Sequence, residues 1–117
     1  MKKEKHLFAQ YLKLLKNPVH DESSATTFAK ALINIAEQVS CTDLLKKINR
    51  NIEQLNIKYP ENIAIAVDYA KCLTALAVVS DKRNLAHEYW VTINKLKALC
   101  EKYPDVENYV PKISHPL

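Results

Sequence analysis

Three cysteines, four histidines and thirteen carboxylates are the groups in this 117-residue chain that could attack, ligate or carry a proton. Their spacing assembles none of the familiar reaction centres. Cys41, Cys72 and Cys100 form no CxxC, and their odd number leaves no complete disulfide framework. Each falls at a core-like position of a helical pattern, so they read as small buried hydrophobes in a reducing compartment. His6, His20, His87 and His115 form no HxxxH and no Cys/His pair at ligand spacing, so no metal site is expected. His87 and Glu88 are adjacent and therefore point to different sides of a helix. Glu37, Asp68 and Glu88 stand singly on helical patterns with no visible partner. A nucleophile with its base, or a carboxylate pair, cannot be built from these residues. No catalysis, cofactor or small-molecule substrate is expected. Glycine is absent altogether. That removes the Gly-rich phosphate cradles, which need a backbone without a Cβ.

The elements that carry these residues are duplicated. Phe28-Ala29-Lys30-Ala31-Leu32 is answered by Tyr69-Ala70-Lys71-Cys72-Leu73, 41 residues later. Lys58-Tyr59-Pro60 is answered by Lys102-Tyr103-Pro104, 44 residues later. The excess of three is an insertion in the second copy, placed at Asp81-Lys82-Arg83. A period of this length with two helical patterns per copy signals a stacked array of helix pairs.

Five helices follow from the apolar spacing. The first covers about 3–16, with a stripe of Leu7, Phe8, Tyr11, Leu12 and Leu15, and stops at Asn17-Pro18. A second covers about 23–39, capped by Asp21 or Ser23, with Phe28, Leu32, Ile35, Ala36 and Val39 inward. The third runs over about 43–58 behind Thr42 as N-cap. Leu45, Ile48, Ile52, Leu55 and Tyr59 face in, and Asn49, Arg50, Glu53 and Asn56 face out. A fourth spans about 61–79, with Pro60 suited to its first position. It is apolar on more than one face and should be central. The fifth covers about 83–102, with Leu85, Tyr89, Ile93, Leu96, Cys100 and Tyr103 as its stripe and Trp90 in the core or at its rim. Val106, Tyr109 and Val110 suit one more turn, and chain beyond Pro111 should be extended or disordered. The fold expected is all-α: antiparallel helix pairs, with the first helix covering one end and the tail the other.

Residues 1–20 hold five lysines against one glutamate, while the rest of the chain carries 12 basic and 12 acidic residues. The basicity thus belongs to the first helix. It reads as a solvated face, with an anionic-membrane footprint, a nucleic-acid footprint or an acidic protein partner as alternatives. A nucleic-acid role is disfavoured, because no recognition helix gathers the charge. Lysines interrupt the N-terminal apolar residues, so no signal peptide is read and a cytoplasmic location is expected. Ile63–Val79 is apolar but carries Asp68 and Lys71, and it reads as a buried helix and not a membrane span.

Pro60-Glu61-Asn62, followed by Ala66, Tyr69-Ala70 and Leu73, resembles the start of a tetratricopeptide repeat (TPR). The resemblance covers about residues 24–110. Ala29 and Ala70 fall where that family has its small residue, and Ile52, Leu55, Leu96 and Leu99 fall near its second-helix packing positions. The period of 41–44 departs from the family's 34, and Ala66 stands where the family has Trp. The chain looks like divergent TPR-like repeats of small bacterial proteins. The resemblance implies one helical-repeat domain over 1–117: a capping helix in 1–18, repeats in 22–60 and 61–104, and a tail in 105–117. It also implies a right-handed stack whose first helices line a groove for an extended peptide or partner helix. Lys30, Asn34, Lys71 and Thr74 are then the candidate contacts, with Ala75 the positional match of Asn34. Two ammonium groups on neighbouring helices could grip a carboxylate, an acidic peptide or a chain terminus. On this reading both lysines point away from the stripe and are free to bind. The function expected is a protein–protein interaction module. A cytosolic immunity-type helical bundle that neutralises a toxin or bacteriocin is the alternative, although the duplicated Tyr-Pro motif is not expected there.

Overall fold

The computed structural model describes residues 2–109. Its elements are α1 (Lys2–Leu15), α2 (Glu22–Ala36), α3 (Thr42–Lys58), α4 (Ile63–Lys82), α5 (Ala86–Lys102) and a 3-10 segment (Pro104–Tyr109). The described residues are all-helical, with no strand. Their smallest extent is 19 Å against 40 and 37 Å in the other directions, about two helix diameters.

Local signals set the boundaries. Asp21 caps α2 in a capping box: its carboxylate accepts from the Ser24 N–H at 2.8 Å, and the Ser24 hydroxyl accepts from the Asp21 N–H at 3.1 Å. Asn62 caps α4 by accepting from the Ile65 N–H at 3.0 Å, so Pro60 lies two residues ahead of the cap and not at the first helical position. Cys41 occupies the cap position of α3 without a side-chain bond, and Thr42 is already helical. α4 ends in a Schellman motif: Leu85 N–H reaches the Ser80 carbonyl and Asn84 N–H the Asp81 carbonyl. Asn84 takes φ 59°, the left-handed conformation that asparagine tolerates in a chain without glycine.

The duplicated residues take matched geometries. α3 and α5 are both 17 residues long and begin and end 44 positions apart. Tyr59 and Tyr103 close them with φ/ψ of −123°/67° and −127°/79°, their N–H groups donating to Leu55 and Leu99. Ala25, Ala29, Ala66 and Ala70, which correspond at a spacing of 41, are all fully buried. α2 and α4 differ instead. α4 has 20 residues against 15, and the connection after it has three against five. The three inserted residues therefore lengthen the helix and shorten the loop. The expected helix boundary at Val79 moves to Lys82, and the start of the next from Arg83 to Ala86.

α4 packs against α2, α3, α5 and the 3-10 segment, the central placement that its many-sided apolarity called for. It is also the one helix among the described residues long and apolar enough to cross a membrane, and 61% of that apolar window is buried inside the fold. The main core joins Leu7 and Tyr11 of α1, Leu32 and Ile33 of α2, Leu45, Ile48 and Ile52 of α3, Leu73 of α4, and Leu96 and Leu99 of α5. Val106 of the 3-10 segment is fully buried in it; Val110 and the residues beyond lie outside the described part.

Several expected faces are corrected. Asn49 and Asn56 are buried, not outward, and the Asn56 amide donates to the Tyr103 hydroxyl at 3.3 Å. That hydroxyl in turn donates to the Pro60 carbonyl, tying the end of α5 to the turn between α3 and α4. Phe28 is half-buried against the cluster of Ala25, Ala29, Leu55 and Ile65, while Tyr69 is buried and donates to Glu53 at 2.7 Å. Tyr69 has α3 beside it, whereas only α1 and a loop precede Phe28. Phe8, Leu12 and Leu15 of the expected first stripe are exposed, because α1 is covered on one side only. Trp90 stands at the rim, edge-on to Tyr89.

Candidate functional site

The longer α4 overruns the end of α2, and a cleft of about 640 Å³ opens where it does. Ala36, Val39, Ala75, Val78 and Val79 give it an apolar lining, and Lys71, Lys82 and Arg83 bring positive charge against the carboxylate of Glu37. Helical spacing explains the lining. Lys71, Ala75, Val78 and Lys82 recur at intervals of three or four, which places them along one side of α4. The insertion supplies Lys82 and Arg83, which have no counterpart at the end of α2.

The loop that borders the cleft is held from both sides. The Ser40 N–H and hydroxyl both donate to one carboxylate oxygen of Glu4, at 3.2 and 3.1 Å. The Arg83 guanidinium donates to the Ser40 carbonyl at 2.9 Å. Ser40 thereby links α1, the α2–α3 loop and the cap of α4.

The four sequence-derived contacts divide. Lys71 lines the cleft. Thr74 lines it as well but is buried, and its hydroxyl donates to the Ala70 carbonyl at 2.9 Å, so it contributes floor and not a free donor. Asn34 is exposed and is not part of the lining. Lys30 is not free: its ammonium lies 3.7 Å from Asp68, whose side chain is 1% exposed. Asp68 had no visible partner in the sequence, because Lys30 is 38 residues away.

Asp68 is the electrostatic oddity beside this cleft. Neither carboxylate oxygen accepts a hydrogen bond. Lys30 of α2, Lys71 of α4 and Glu37 at the C-cap of α2 are the charged groups acting on it. Burial pushes its pKa up, and the two lysines only partly oppose that. The balance is reasonable in magnitude. Removing a carboxylate from water costs several kcal/mol. The ammonium at 3.7 Å returns roughly 1–4 kcal/mol, nearer the low end because Lys30 is 60% exposed.

Of the other two carboxylates that stood singly in the sequence, Glu88 finds a partner and Glu37 lines the cleft. Glu88 pairs with Lys46 at 3.0 Å, and Glu53 receives both Lys95 at 3.6 Å and the Tyr69 hydroxyl. Burial and that carboxylate raise the Tyr69 phenol above its ordinary range. Cys72 is fully buried, and its thiol is pushed up to about 12 by desolvation. Cys41 and Cys100 are free and half-buried. Among the described residues no three His, Cys, Asp or Glu side chains gather where they could hold a metal. The missed residues are Lys82 and Arg83; the three-residue insertion was their only signal. No protein-family model, curated protein or solved structure matches the chain.

Proposed function

We propose that this chain is a non-catalytic, cytoplasmic protein–protein interaction module that receives an acidic extended peptide or partner helix in the cleft between α2 and α4. The carrying observation is the cleft itself: an apolar floor under Lys71, Lys82 and Arg83, with Glu37 as its one carboxylate. Apolar side chains of a ligand would cover Ala75, Val78 and Val79 while its carboxylates meet the cations. The architecture proposed is a short, right-handed, tetratricopeptide-like stack of antiparallel pairs, α2/α3 and α4/α5. The matched Tyr59 and Tyr103 caps, the buried alanines at the 41-residue spacing, and the packing of α4 on both helices of the preceding pair support it. Relative to the sequence-derived pair, the binding centre shifts from Lys30 toward Lys71, Lys82 and Arg83.

The test is a fluorescence-anisotropy titration with a labelled peptide alternating glutamate with leucine and valine. Lys71→Glu combined with Lys82→Glu should weaken binding by about tenfold or more, worth ~1.4 kcal/mol, and leave helicity intact. Equal affinity for parent and double variant, or no binding by the parent, would overturn the reading.

A further inference from the structure

α1 exposes apolar side chains away from the cleft. Phe8, Leu12 and Leu15 are 38, 45 and 46% exposed. Their spacing of four and three places them on one strip of the helix, while Leu7 and Tyr11 turn inward to the core. Beside that strip a shallower cleft of about 380 Å³ is lined by Glu4, Lys5, Phe8, Ala9, Leu12, Cys41 and Leu44.

Ammonium groups lie beside the strip. Lys5 precedes Phe8 by three residues and Lys16 follows Leu12 by four, so both lie next to the strip on α1 and its C-terminal end. From α3, the Lys47 ammonium stands 5.2 Å from the Phe8 ring centroid. Glu4, which would offset them, is turned to Ser40. The result is an apolar ridge bordered by positive charge, on a helix whose opposite side is anchored in the fold.

We propose that this face of α1 docks on an anionic phospholipid surface, with Phe8, Leu12 and Leu15 entering the interfacial region and Lys5, Lys16 and Lys47 at headgroup level. The charge argues against the other occupants. A second copy would bring two such lysine-rich faces together. Nucleic acid offers phosphates to the lysines and nothing to cover the three apolar side chains. An anionic bilayer offers both, and lysines beside a shallowly buried apolar ridge are the arrangement an interfacial helix needs. This inference is independent of the cleft between α2 and α4, which lies on other residues.

Flotation with vesicles decides it, using the full chain, phosphatidylcholine alone, and phosphatidylcholine mixed with phosphatidylserine. Binding should require phosphatidylserine and fall as salt is raised. Lys5→Glu with Lys16→Glu, and separately Phe8→Ser with Leu12→Ser, should each weaken it by about tenfold or more. Lys97→Glu, exposed on α5, should leave it unchanged. Circular dichroism checks that each variant folds, and the lysine pair keeps the test decisive if the serine pair does not. Failure to bind phosphatidylserine vesicles overturns the proposal. So does equal binding to neutral vesicles, or insensitivity to the lysine pair. So does a dimer in solution that Phe8→Ser with Leu12→Ser converts to monomer, since a second copy would then be the occupant.

Discussion

Tyr103→Phe should destabilise the fold while Tyr59→Phe, at the matched position of the first copy, should not. Both tyrosines end a 17-residue helix with the same backbone geometry. Only the Tyr103 hydroxyl is engaged, donating to the Pro60 carbonyl and accepting from the Asn56 amide. Pro60 is exposed, so water can replace the lost donor there at about 0.5 kcal/mol. Asn56 is buried, and an amide left without its acceptor costs ~1–2 kcal/mol. The sum is roughly 1.5–2.5 kcal/mol for Tyr103→Phe. For Tyr59→Phe, where the ring stays and no hydroxyl bond is lost, the change should stay within about 0.5 kcal/mol. Urea unfolding followed by circular dichroism measures both, with a shifted midpoint at unchanged slope as the signature of a stability effect. Equal losses in the two variants, or less than about 0.5 kcal/mol for Tyr103→Phe, would refute the reasoning.

Leu73→Ala should cost ~2–5 kcal/mol in the same assay, because Leu73 is fully enclosed on the central helix; a loss below about 1 kcal/mol would contradict that enclosure. Asp68→Asn should stabilise the protein at neutral pH. With the folded pKa raised above its ordinary 3.8, the stabilising contribution belongs to the protonated acid: it is present below that value and lost as pH rises through the folded pKa. Thermal melts across that range should show the gap between variant and parent closing on acidification, and a gap independent of pH would count against the burial argument. A thiol reagent at neutral pH should modify Cys41 and Cys100 well before Cys72, whose thiol is buried and held at about 12; mass mapping that finds Cys72 labelled first would overturn it.

What was legible in the sequence was whatever repeats at helical spacing. Leu32, Ile48, Ile52, Leu73 and Leu96 were placed in the core by their i, i+3, i+4 pattern, and all are buried. The two Lys-Tyr-Pro ends were visible as a repeated terminator, and both close a helix with the same turn. The failures share a cause. Asn49 and Asn56 are polar and read as outward, but neighbouring elements cover that side of α3. Phe8, Leu12 and Leu15 are apolar and read as inward, but their side of α1 is left largely uncovered. Side-chain polarity reports which way a helix turns only when one face is covered. The pairing of Lys30 with Asp68 joins two helices and leaves no local trace. The cleft was half visible: the three-residue insertion showed that the copies differ, but not that α4 would absorb it up to the left-handed turn at Asn84.

Ser40 gives the two ends of the molecule a common joint. Its amide and hydroxyl are held by Glu4 on α1, and its carbonyl is held by Arg83 at the cap of α4. The residue that Glu4 holds is thus the one that Arg83 restrains at the mouth of the cleft. Were both proposed sites occupied, any coupling carried through Ser40 would be reciprocal. The hydroxyl–carboxylate contact spans residues 36 apart in sequence and the guanidinium contact spans 43. Three residues thus join the terminal helix to the end of the central one by polar contacts alone.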